Sequence, residues 1–251
     1  MSDKKRFALV TGGSGGIGSA ICKQLARDGF AVLVHFNSNQ TEALNVVNTI
    51  VDAGGEAESI QFDISHQEQV KLALDEWQSQ QDENAYIAVL VNNAGMSPLY
   101  DSLTSVSREL WDKVIGVNLA GPFRLSAVAA ERMSAAEGGS IINISSTAAI
   151  APGAAEIPYA AAKAGLNNLT QSMAHSYAPK VRCNCIMPGP FLTDIADAWD
   201  ENIKNAINAI VPMGRAGQPE EIIGIALYLA SDAASYTNGA LIKVDGGMAF
   251  G

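Results

Sequence analysis

Short apolar runs alternate with segments of helical periodicity along almost the whole chain, and this alternation limits the possible folds most strongly. The runs FAVLVHF (30–36) and YIAVLV (86–91) are typical of strands, and the first is apolar enough to be buried on both faces. Ahead of them, Ile17, Ile21 and Leu25 recur every four residues, as they do on one face of a helix. Strands that alternate with helices through short connections form a parallel sheet with helices on both faces.

The same pattern continues to the end of the chain and predicts seven strands. The other predicted strands are FALV (7–10), SIQFDI, SIINIS, VRCNCIM and ALIKV (240–244). The other predicted helices are one with the apolar face Leu44, Val47, Ile50 and Val51, one with the face Val70, Leu74 and Trp77, and the segments 107–136, from near Tyr159, 194–210 and 219–230. No Pro- or Ser-rich linker and no repeat of fixed period divides the chain. We therefore expect one α/β domain over residues 1–251, a single-domain doubly wound Rossmann fold with a seven-stranded parallel sheet and helices on both faces.

The charge balance of the 251-residue chain excludes several classes of partner. Its 16 Lys and Arg against 26 Asp and Glu give a net charge of −10, whereas a nucleic-acid backbone or an anionic membrane surface requires a basic protein surface. The N-terminus has no apolar stretch of signal-peptide length, and no apolar run approaches the ~20 residues that span a bilayer. We therefore expect a cytoplasmic protein that binds neither nucleic acid nor membrane.

The chain has three cysteines, Cys22, Cys183 and Cys185, and this odd, sparse count does not suggest a disulfide framework. Cys183 and Cys185 alternate in VRCNCIM, so they lie on one face of a predicted strand. We interpret them as small buried side chains. The three histidines show no ligand spacing with the cysteines or with each other, and we therefore predict no metal site.

A glycine-rich stretch, TGGSGGIG (11–18), follows the first predicted strand and opens the first helix. Glycines at such a turn let the backbone approach a pyrophosphate, whose charge the helix N-terminus then stabilises. The turn predicts a dinucleotide site, whose candidate contacts are Gly12, Ser14, Gly16, Ile17 and Gly18. The same letters also fit G-x-S-x-G, the nucleophile elbow of α/β-hydrolases, in which Ser14 would be the nucleophile. Because that elbow needs earlier strands and an oxyanion loop before it, and only one strand precedes this turn, the dinucleotide site is favoured.

The second predicted strand ends in HFNSNQ, without the carboxylate that binds the ribose 2′-hydroxyl of NAD in many dinucleotide sites. No acid appears before Glu42, and a carboxylate here would repel a 2′-phosphate, so NADP(H) is preferred and NAD(H) is possible. Asn37 and Ser38, with His35, are candidate hydrogen-bond partners of that phosphate. Asp63, at the end of the third strand, either accepts a hydrogen bond from the adenine amine or serves as a turn residue.

Six short motifs occur in a fixed order along the chain: TGGSGGIG, NNAG (92–95), GVNLAG, ISS, YAAAK (159–163) and PG (188–189). The ordered set, with these spacings, resembles the short-chain dehydrogenase/reductase family from about residue 6 to the end. The segments YAAAKAGL, MGRAGQPEEI and NGALIKVDGGM are similar to the 3-oxoacyl-acyl-carrier-protein reductases of that family, which reduce a 3-oxoacyl thioester with NADPH.

The resemblance implies a catalytic group formed by Asn118, Ser146, Tyr159 and Lys163, with Ser145 as the alternative to Ser146. During hydride transfer from the nicotinamide, Tyr159 would protonate the carbonyl oxygen and Ser146 would hydrogen-bond it. Asn118 would hold a water of the proton relay, and Lys163 would hold the nicotinamide ribose. Because residues i and i+4 share a helix face, Lys163 should lie beside Tyr159. Its ammonium, together with an oxidised nicotinamide, should lower the pKa of the phenol from the usual value near 10.

The resemblance also implies further contacts with the cofactor. The residues concerned are Ile64 beside Asp63, Asn92, Ala94 and Gly95 in NNAG, the catalytic pair Tyr159 and Lys163, and Pro188, Gly189 and Thr193 after the sixth strand. The small residues of NNAG would leave room for the adenosine ribose. Thr193 would bind the nicotinamide amide, or cap the helix that follows it. The loop to about residue 211 would cover the substrate, with Trp199 and Met213 as candidate lining residues.

Two departures from the acyl-carrier-protein reductases leave the substrate open. Gly15 stands where that group usually carries an arginine for the NADP phosphate, and the helix after Asn118 ends in ERMSAAEGGS instead of a basic cluster that could meet an acidic carrier protein. The alternatives are another ketone, a CoA thioester or an alcohol as substrate, or a non-catalytic nucleotide-binding regulator. By resemblance, the chain would form a homotetramer through helices 107–136 and 159–178 and the C-terminal strand.

Overall fold

The computed structural model describes residues 4–98, 100–153, 156–193 and 201–249, without the side chain of Ile203. The strands are Lys5–Val10 (β1), Ala31–Phe36 (β2), Ala57–Gln61 (β3), Ala85–Asn92 (β4), Gly139–Ile144 (β5), Val181–Pro188 (β6) and Leu241–Val244 (β7). The α-helices are Gly16–Arg27 (α1), Gln40–Asp52 (α2), Gln67–Ser79 (α3), Arg108–Ile115 (α4), Gly121–Ala135 (α5), Ile157–Tyr177 (α6), Glu201–Ile210 (α7) and Ile223–Ala230 (α8).

The seven strands form one fully parallel sheet in the order β3-β2-β1-β4-β5-β6-β7. The expected doubly wound α/β fold is confirmed. The order reverses between β1 and β4, which pair in register at Val10 and Val91. In open sheets of this type, ligands bind at such a switch point, outside the carboxyl ends of the strands. The site should therefore open above the ends of β1 and β4.

Two apolar cores lie on opposite faces of the sheet because successive side chains of each strand point to opposite sides. Ala8 and Val10 of β1 belong to the core under α1, α2 and α8, whereas Phe7 and Leu9 belong to the core under α3, α5 and α6. All six residues of β2 are buried, as its continuous apolar run predicts. The two cores hold the strand ends rigidly in place beneath the site.

The buried face of α2 differs from the one that the sequence predicts. Ala43, Val46 and Ile50 are buried, whereas Leu44 is 42% exposed and Val51 is 50% exposed. Both faces have helical spacing, and the small Ala43 lets the helix approach β2 and β3 closely. Side-chain size at the contact, rather than apolar count, decided the rotation of this helix.

The predicted long helix 107–136 is interrupted in its middle. A turn of π-helix at Gly116–Ala120 separates α4 from α5 and carries Asn118, which is fully buried. Single π turns of this kind are frequent at functional sites because the extra residue re-aims a side chain. Predicted segment 219–230 is likewise divided, into a 3₁₀ turn at Pro219–Ile222 and α8.

The predicted helical segment 194–210 is only partly described, because residues 194–200, including Trp199, lie outside the described residues. Met213, the other candidate lining residue, is 65% exposed. All three cysteines are buried and unpaired, which confirms the burial predicted for Cys183 and Cys185. In the described parts of the chain, no helix is both long and apolar enough to cross a membrane.

Candidate active site

The glycine-rich turn between β1 and α1 forms an open cradle. Gly12 and Gly16 have φ values of +61° and +49°, a left-handed conformation that favours glycine, and a Cβ at Gly18 would collide with the Gly12 carbonyl oxygen. Gly15 caps α1 without a side-chain hydrogen bond, and the first turn carries no acid, so its N–H groups are available to an anion. These residues fit the pyrophosphate of a dinucleotide, with half-buried Ser14 and Ile17 beside it.

The side chains of buried His35 and half-buried Asn93 stabilise this cradle. Nδ1 of His35 accepts a hydrogen bond from the Gly12 N–H at 3.1 Å, and Nε2 contacts the Phe62 carbonyl oxygen at 2.9 Å. The side-chain amide of Asn93 donates to the carbonyl oxygens of Thr11 and Gly12 at 3.0 and 3.1 Å. These contacts fix the shape of the turn before any ligand arrives.

These contacts of His35 correct the expectation that it binds a cofactor phosphate, and they exclude it as the base of a hydrolase. Since both ring nitrogens bond main-chain groups and the residue is only 2% exposed, His35 is not available to a cofactor phosphate. Nor can it serve as the base that Ser14 would need in a hydrolase. Burial lowers the pKa of His35 to about 4, against a smaller opposing effect of its contacts with Phe62 and Asp63. The ring is therefore neutral, with its proton on Nε2.

The residues after β2 and β3 lie where the adenosine end of the cofactor is expected. Asn37 and Ser38 are exposed and free of carboxylate neighbours up to Glu42. Asp63 accepts hydrogen bonds from the Ser65 N–H and hydroxyl at 2.8 and 2.6 Å, which is the turn role that the sequence allowed. Burial by itself raises the Asp63 pKa, but these bonds and nearby His66 hold it below its usual value. Contact of Asp63 with adenine stays a prediction, as does that of buried Ile64.

NNAG, after β4, divides its side chains between two surfaces. The Asn92 amide is buried and donates to Ser126 Oγ at 2.7 Å and Asn143 Oδ1 at 2.8 Å, so its side chain faces the core. Only the main chain of Asn92 can therefore meet a cofactor. Ala94 is half-buried and Gly95 is exposed, so both lie at the surface of the crevice.

The π turn brings Asn118 to the floor of the crevice. Its Oδ1 accepts from the Met96 N–H at 3.2 Å, and its Nδ2 donates to the carbonyl oxygens of Met96 and Val114, both at 2.9 Å. A Cβ at Gly95 would lie 2.9 Å from Asn118 Oδ1 and 3.6 Å from Lys163 Nζ. Gly95 therefore keeps a small space open between the asparagine and the lysine.

Ser146, Tyr159 and Lys163 meet at the carboxyl end of β5. Ser146 follows this strand, accepts a hydrogen bond from the Ala148 N–H at 3.1 Å, and acts on the Tyr159 phenol by lowering its pKa. Lys163 Nζ lies 5.5 Å from the centre of the Tyr159 ring and donates to the Ile144 carbonyl oxygen at 2.8 Å. Ser145 points inward instead, with its hydroxyl on the Lys163 carbonyl oxygen at 3.1 Å. The structure therefore brings together the predicted residues, with Ser146 rather than Ser145 facing the phenol.

The groups of the protein alone do not lower the Tyr159 pKa, and the joint effect of Lys163 and an oxidised nicotinamide stays a prediction. Burial raises this pKa above its usual value, and it outweighs the opposite effect of the Ser146 hydrogen bond, while Glu156 raises it further. The Lys163 ammonium is itself buried, and burial lowers its pKa to about 8, against the charge of Cys185. Tyr159 is therefore a protonated phenol at neutral pH, the state that a proton donor requires.

The turn after β6 closes the crevice on its far side. The Pro188 carbonyl oxygen accepts from Thr147 Oγ1 at 3.3 Å, and the Gly189 N–H donates to Val244 O at 3.0 Å. A Cβ at Gly16 would lie 3.2 Å from the Thr193 side chain, so Thr193 faces the glycine cradle across the crevice. Its alternative role as a helix cap depends on residues 194–200, outside the described part.

Sequence reasoning missed His35 as a brace and Asn93 altogether. Asn93 directly follows Asn92 in NNAG, and the period of two along a strand end would have separated an inward from an outward side chain. In the part of the chain that the structure describes, no three His, Cys, Asp or Glu side chains are grouped as a metal site would require.

Comparisons with known proteins show what this chain is similar to. A family model described as enoyl-(acyl carrier protein) reductase, of the short-chain alcohol dehydrogenase type, matches residues 12–249. An L-rhamnose 1-dehydrogenase (NAD(P)(+)) of Azotobacter vinelandii is 38% identical, over 97% of this chain and 96% of that protein. A 3-oxoacyl-[acyl-carrier-protein] reductase of Chlamydia pneumoniae is 36% identical, over 96% of each. The crystal structure of a gluconate 5-dehydrogenase from Burkholderia cenocepacia in complex with NADP and tartrate superposes with a TM-score of 0.90 at 33% identity, covering 98% of this chain and 95% of that one.

Proposed function

Since the chain belongs to the short-chain dehydrogenase/reductase family, we propose that it is an NADP(H)-dependent ketoreductase that reduces the 3-oxo group of an acyl thioester. Membership makes it an NAD(P)-dependent oxidoreductase. The observation that carries the proposal is the meeting of three side chains at the carboxyl end of β5. Ser146 follows that strand, and Lys163 Nζ lies 5.5 Å from the centre of the Tyr159 ring.

The residues of the site divide the work of carbonyl reduction. The nicotinamide, when bound, supplies the hydride that adds to the carbonyl carbon. The Ser146 hydroxyl donates a hydrogen bond to the carbonyl oxygen and stabilises the negative charge that develops there. The Tyr159 hydroxyl gives its proton to that oxygen and becomes a phenolate. The Lys163 ammonium stabilises this phenolate electrostatically, and the space beside Gly95 and Asn118 suits a water that returns the proton.

The preference for NADP(H) over NAD(H) is supported by the end of β2. Asn37 and Ser38 are exposed there, and the carboxylate that would bind a ribose 2′-hydroxyl is missing. The gluconate 5-dehydrogenase with a similar structure was crystallised with NADP.

The thioester is supported by the closing motifs and by the full-length similarity to a 3-oxoacyl-[acyl-carrier-protein] reductase. Docking of an acidic carrier protein has less support, since the two arginines of α5 are engaged within the molecule. Arg124 donates to the Ser65 carbonyl oxygen, and Arg132 donates to the Leu74 carbonyl oxygen and pairs with Asp75. This arrangement favours a thioester on a small carrier such as CoA.

A second candidate is the oxidation of a hydroxyl-rich small molecule. It is favoured by the names of two similar proteins, an L-rhamnose 1-dehydrogenase and a gluconate 5-dehydrogenase. The same catalytic group would serve this reaction in the reverse direction, with Tyr159 as base.

A substrate panel tests these proposals. The purified protein is assayed with 3-oxoacyl-CoA and carrier-linked thioesters, simple ketones, sugars and sugar acids, each with NADP(H) and NAD(H). We expect the highest kcat/KM for a 3-oxoacyl thioester with NADPH. Turnover of sugars alone would favour the second candidate. Absence of activity with every carbonyl and alcohol would favour the non-catalytic alternative.

Substitution tests the mechanism independently of the substrate. Tyr159→Phe should lower kcat by about 10²- to 10⁴-fold while NADPH affinity is retained, because it removes the proton donor and little else. Tyr177→Phe, at the other end of α6, is the matched control and should be neutral. Full activity of Tyr159→Phe would refute the mechanism.

The proposal extends to assembly as a homotetramer. Trp111 of α4 and Phe123 of α5 are 40% and 47% exposed, and Leu103 between β4 and α4 is 62% exposed. β7 is the edge strand of the sheet and all four of its residues are half-buried, which suits an edge that another subunit covers. Light scattering on the purified protein measures the number of subunits directly.

A further inference from the structure

The face of α6 that packs on the sheet carries three buried polar residues, Lys163, Asn167 and Thr170. They are spaced i, i+4 and i+7, so they form one row that covers about 10 Å of the helix. A buried polar group lowers stability unless it is hydrogen-bonded. Each of these side chains therefore requires a partner on the strands beneath.

Strands β5 and β6 supply these partners. Lys163 Nζ donates to the Ile144 carbonyl oxygen of β5 at 2.8 Å. The Thr170 hydroxyl oxygen accepts from Asn143 Nδ2, also of β5, at 2.9 Å. Asn167 lies between them in the row and contacts two sulfur atoms of β6. The first and last residues of the row are thus held by consecutive residues of one strand.

Asn143 connects this contact to two further elements. Its side-chain oxygen accepts from Asn92 Nδ2 of β4 at 2.8 Å, and Asn92 Nδ2 also donates to Ser126 Oγ of α5 at 2.7 Å. Thr170 donates its own proton to the Leu166 carbonyl oxygen at 2.8 Å. We call the four buried side chains of Ser126, Asn92, Asn143 and Thr170 the polar bridge. It joins α5, β4, β5 and α6 in one hydrogen-bonded network.

Every element that the polar bridge joins also positions a part of the candidate active site. The residues concerned are Asn93 after β4, Ser146 after β5, Asn118 before α5, and Tyr159 and Lys163 of α6. A shift of α6 along β5 would therefore break its bond to the polar bridge and, at the same time, move Tyr159 and Lys163 relative to Ser146.

A hydrogen bond fixes the register of two packed elements more sharply than apolar contacts do. Hydrophobic attraction is non-directional, so two apolar surfaces can pack in several registers at similar free energy. A hydrogen bond requires a restricted distance and angle, and breaking a buried one leaves polar groups unsatisfied. The bond between Asn143 and Thr170 therefore favours one register of α6 over its neighbours.

We propose that Thr170 is a positioning residue of the reaction, and that its hydrogen bond to Asn143 fixes α6 in the register that the catalytic group requires. The inference rests on the proposed carbonyl reduction, in which that group acts directly. Thr170 is fully buried and lies two helical turns from Lys163, so it acts through the helix and not on the substrate. Without its hydroxyl, α6 shifts and the Lys163 ammonium loses the Ile144 carbonyl oxygen.

The protonation of Lys163 reports on this register. Burial lowers its pKa to about 8, whereas the hydrogen bond to the Ile144 carbonyl oxygen supports the charged form. Among the described residues, the titratable groups that face this ammonium are Tyr159 on its own helix and Cys185 on β6. Burial raises the pKa of both groups, so both titrate above pH 8. Loss of the Ile144 contact should therefore lower the pKa of Lys163 further.

Substitutions at Thr170 in the full-length protein test the inference. Thr170→Val replaces the hydroxyl by a methyl group of similar size, whereas Thr170→Ser keeps the hydroxyl. With the substrate that the panel identifies, Thr170→Val should lower kcat about 10-fold or more, because the catalytic side chains are misplaced. Thr170→Ser should keep the activity. The affinity for NADPH, measured by its fluorescence, should change little, since His35 and Asn93 hold the glycine cradle.

Thr49→Val on α2 is the matched control. Thr49 Oγ1 also donates to a carbonyl oxygen of the preceding turn, that of Asn45 at 2.7 Å, but its side chain is exposed. This variant should keep both kcat and NADPH affinity. An effect of Thr170→Val then belongs to the bond with Asn143 and not to the loss of a hydroxyl within a helix.

A titration of Lys163 decides the inference without any turnover. The protein is labelled isotopically at the lysine ε-carbons and titrated by NMR, and the Lys163 resonance is assigned from its absence in Lys163→Gln. Thr170→Val should lower the pKa of Lys163 relative to the unsubstituted protein. Thr170→Ser and Thr49→Val should leave this pKa unchanged.

Two results would overturn the inference. One is a Thr170→Val protein that is less stable in urea but keeps the kcat and the Lys163 pKa of the unsubstituted protein, since the polar bridge is then only structural. The other is a Thr170→Ser protein with the same defect as Thr170→Val. If the unsubstituted protein reduces no carbonyl compound, the proposed function fails, and the Lys163 titration by itself supports or overturns the positioning role.

Discussion

Protonation of His35 should make this protein unstable in mild acid. The ring can bond the Gly12 N–H only as the neutral Nε2–H tautomer, and it lies 4.0 Å from the Phe62 ring in a buried site. Burial lowers its pKa from 6.5 to about 4 in the folded protein. In the unfolded chain the histidine binds a proton as soon as the pH falls below about 6.5, whereas the folded protein resists this down to about 4.

The sign and the size of the effect follow from this difference. A histidine whose folded pKa is depressed contributes its full stability above the unfolded pKa, and this contribution is lost as the pH falls through the range between 6.5 and 4. Linkage with these two values predicts that the free energy of unfolding falls by about 2 kcal/mol between pH 7 and pH 5. The total reaches about 3 kcal/mol below pH 4.

Urea denaturation at a fixed protein concentration, followed by circular dichroism at pH 7, 6 and 5, measures this loss. His35→Gln should be less stable than the unsubstituted protein at pH 7, because it loses the ring contacts, but its stability should change little between pH 7 and pH 5. His175→Gln, at an exposed position of α6, should keep the full pH dependence. An equal pH dependence in His35→Gln and in the unsubstituted protein would refute the reasoning.

Three further predictions concern catalysis and assembly. Gly95→Ala should lower kcat by about 10- to 100-fold with little loss of stability. The reason is that its Cβ would enter the space between Asn118 and Lys163, 2.9 Å from Asn118 Oδ1. An unchanged kcat in steady-state kinetics would contradict this. The kcat/KM for the cofactor should decline as the pH rises through about 8, where Lys163 loses its proton, and a pH profile that stays level to pH 9.5 would argue against a cationic Lys163. Phe123→Asp should dissociate the proposed tetramer into smaller species in size-exclusion chromatography with light scattering, since it places a charge at an exposed apolar position. A tetramer that persists in this variant would place the interface elsewhere.

The architecture was predictable because its signals are local. Continuous apolar runs marked strands buried on both faces, and the glycine turn, NNAG and YAAAK each lie directly after a strand or within one helix. Because all seven strands are parallel, motifs that directly follow a strand lie at the same edge of the sheet. The pairing of Tyr159 with Lys163 needed only the period of the helix.

Other features could not be predicted from the sequence, because they depend on how several elements of the fold together bury a side chain. His35 is a polar residue at a strand end, and only the packing of Phe62 against it shows that it is a brace and not a phosphate ligand. The effect of the protein on the Tyr159 pKa could not be predicted from Lys163, because desolvation depends on the whole crevice and not on one neighbour. On α2, two apolar faces competed, and contact with the sheet buried the one with the smaller residues.

The sequence by itself determined the doubly wound fold and the order of the strand-end motifs, because these follow from hydrophobic period, and the catalytic candidates came from its resemblance to the family. Only the tertiary structure decided which of Asn92 and Asn93 faces the glycine cradle, and that His35 is neutral and hydrogen-bonded at both ring nitrogens. These are properties of several elements at once, since the free energy of a charge or a polar group depends on everything that packs around it.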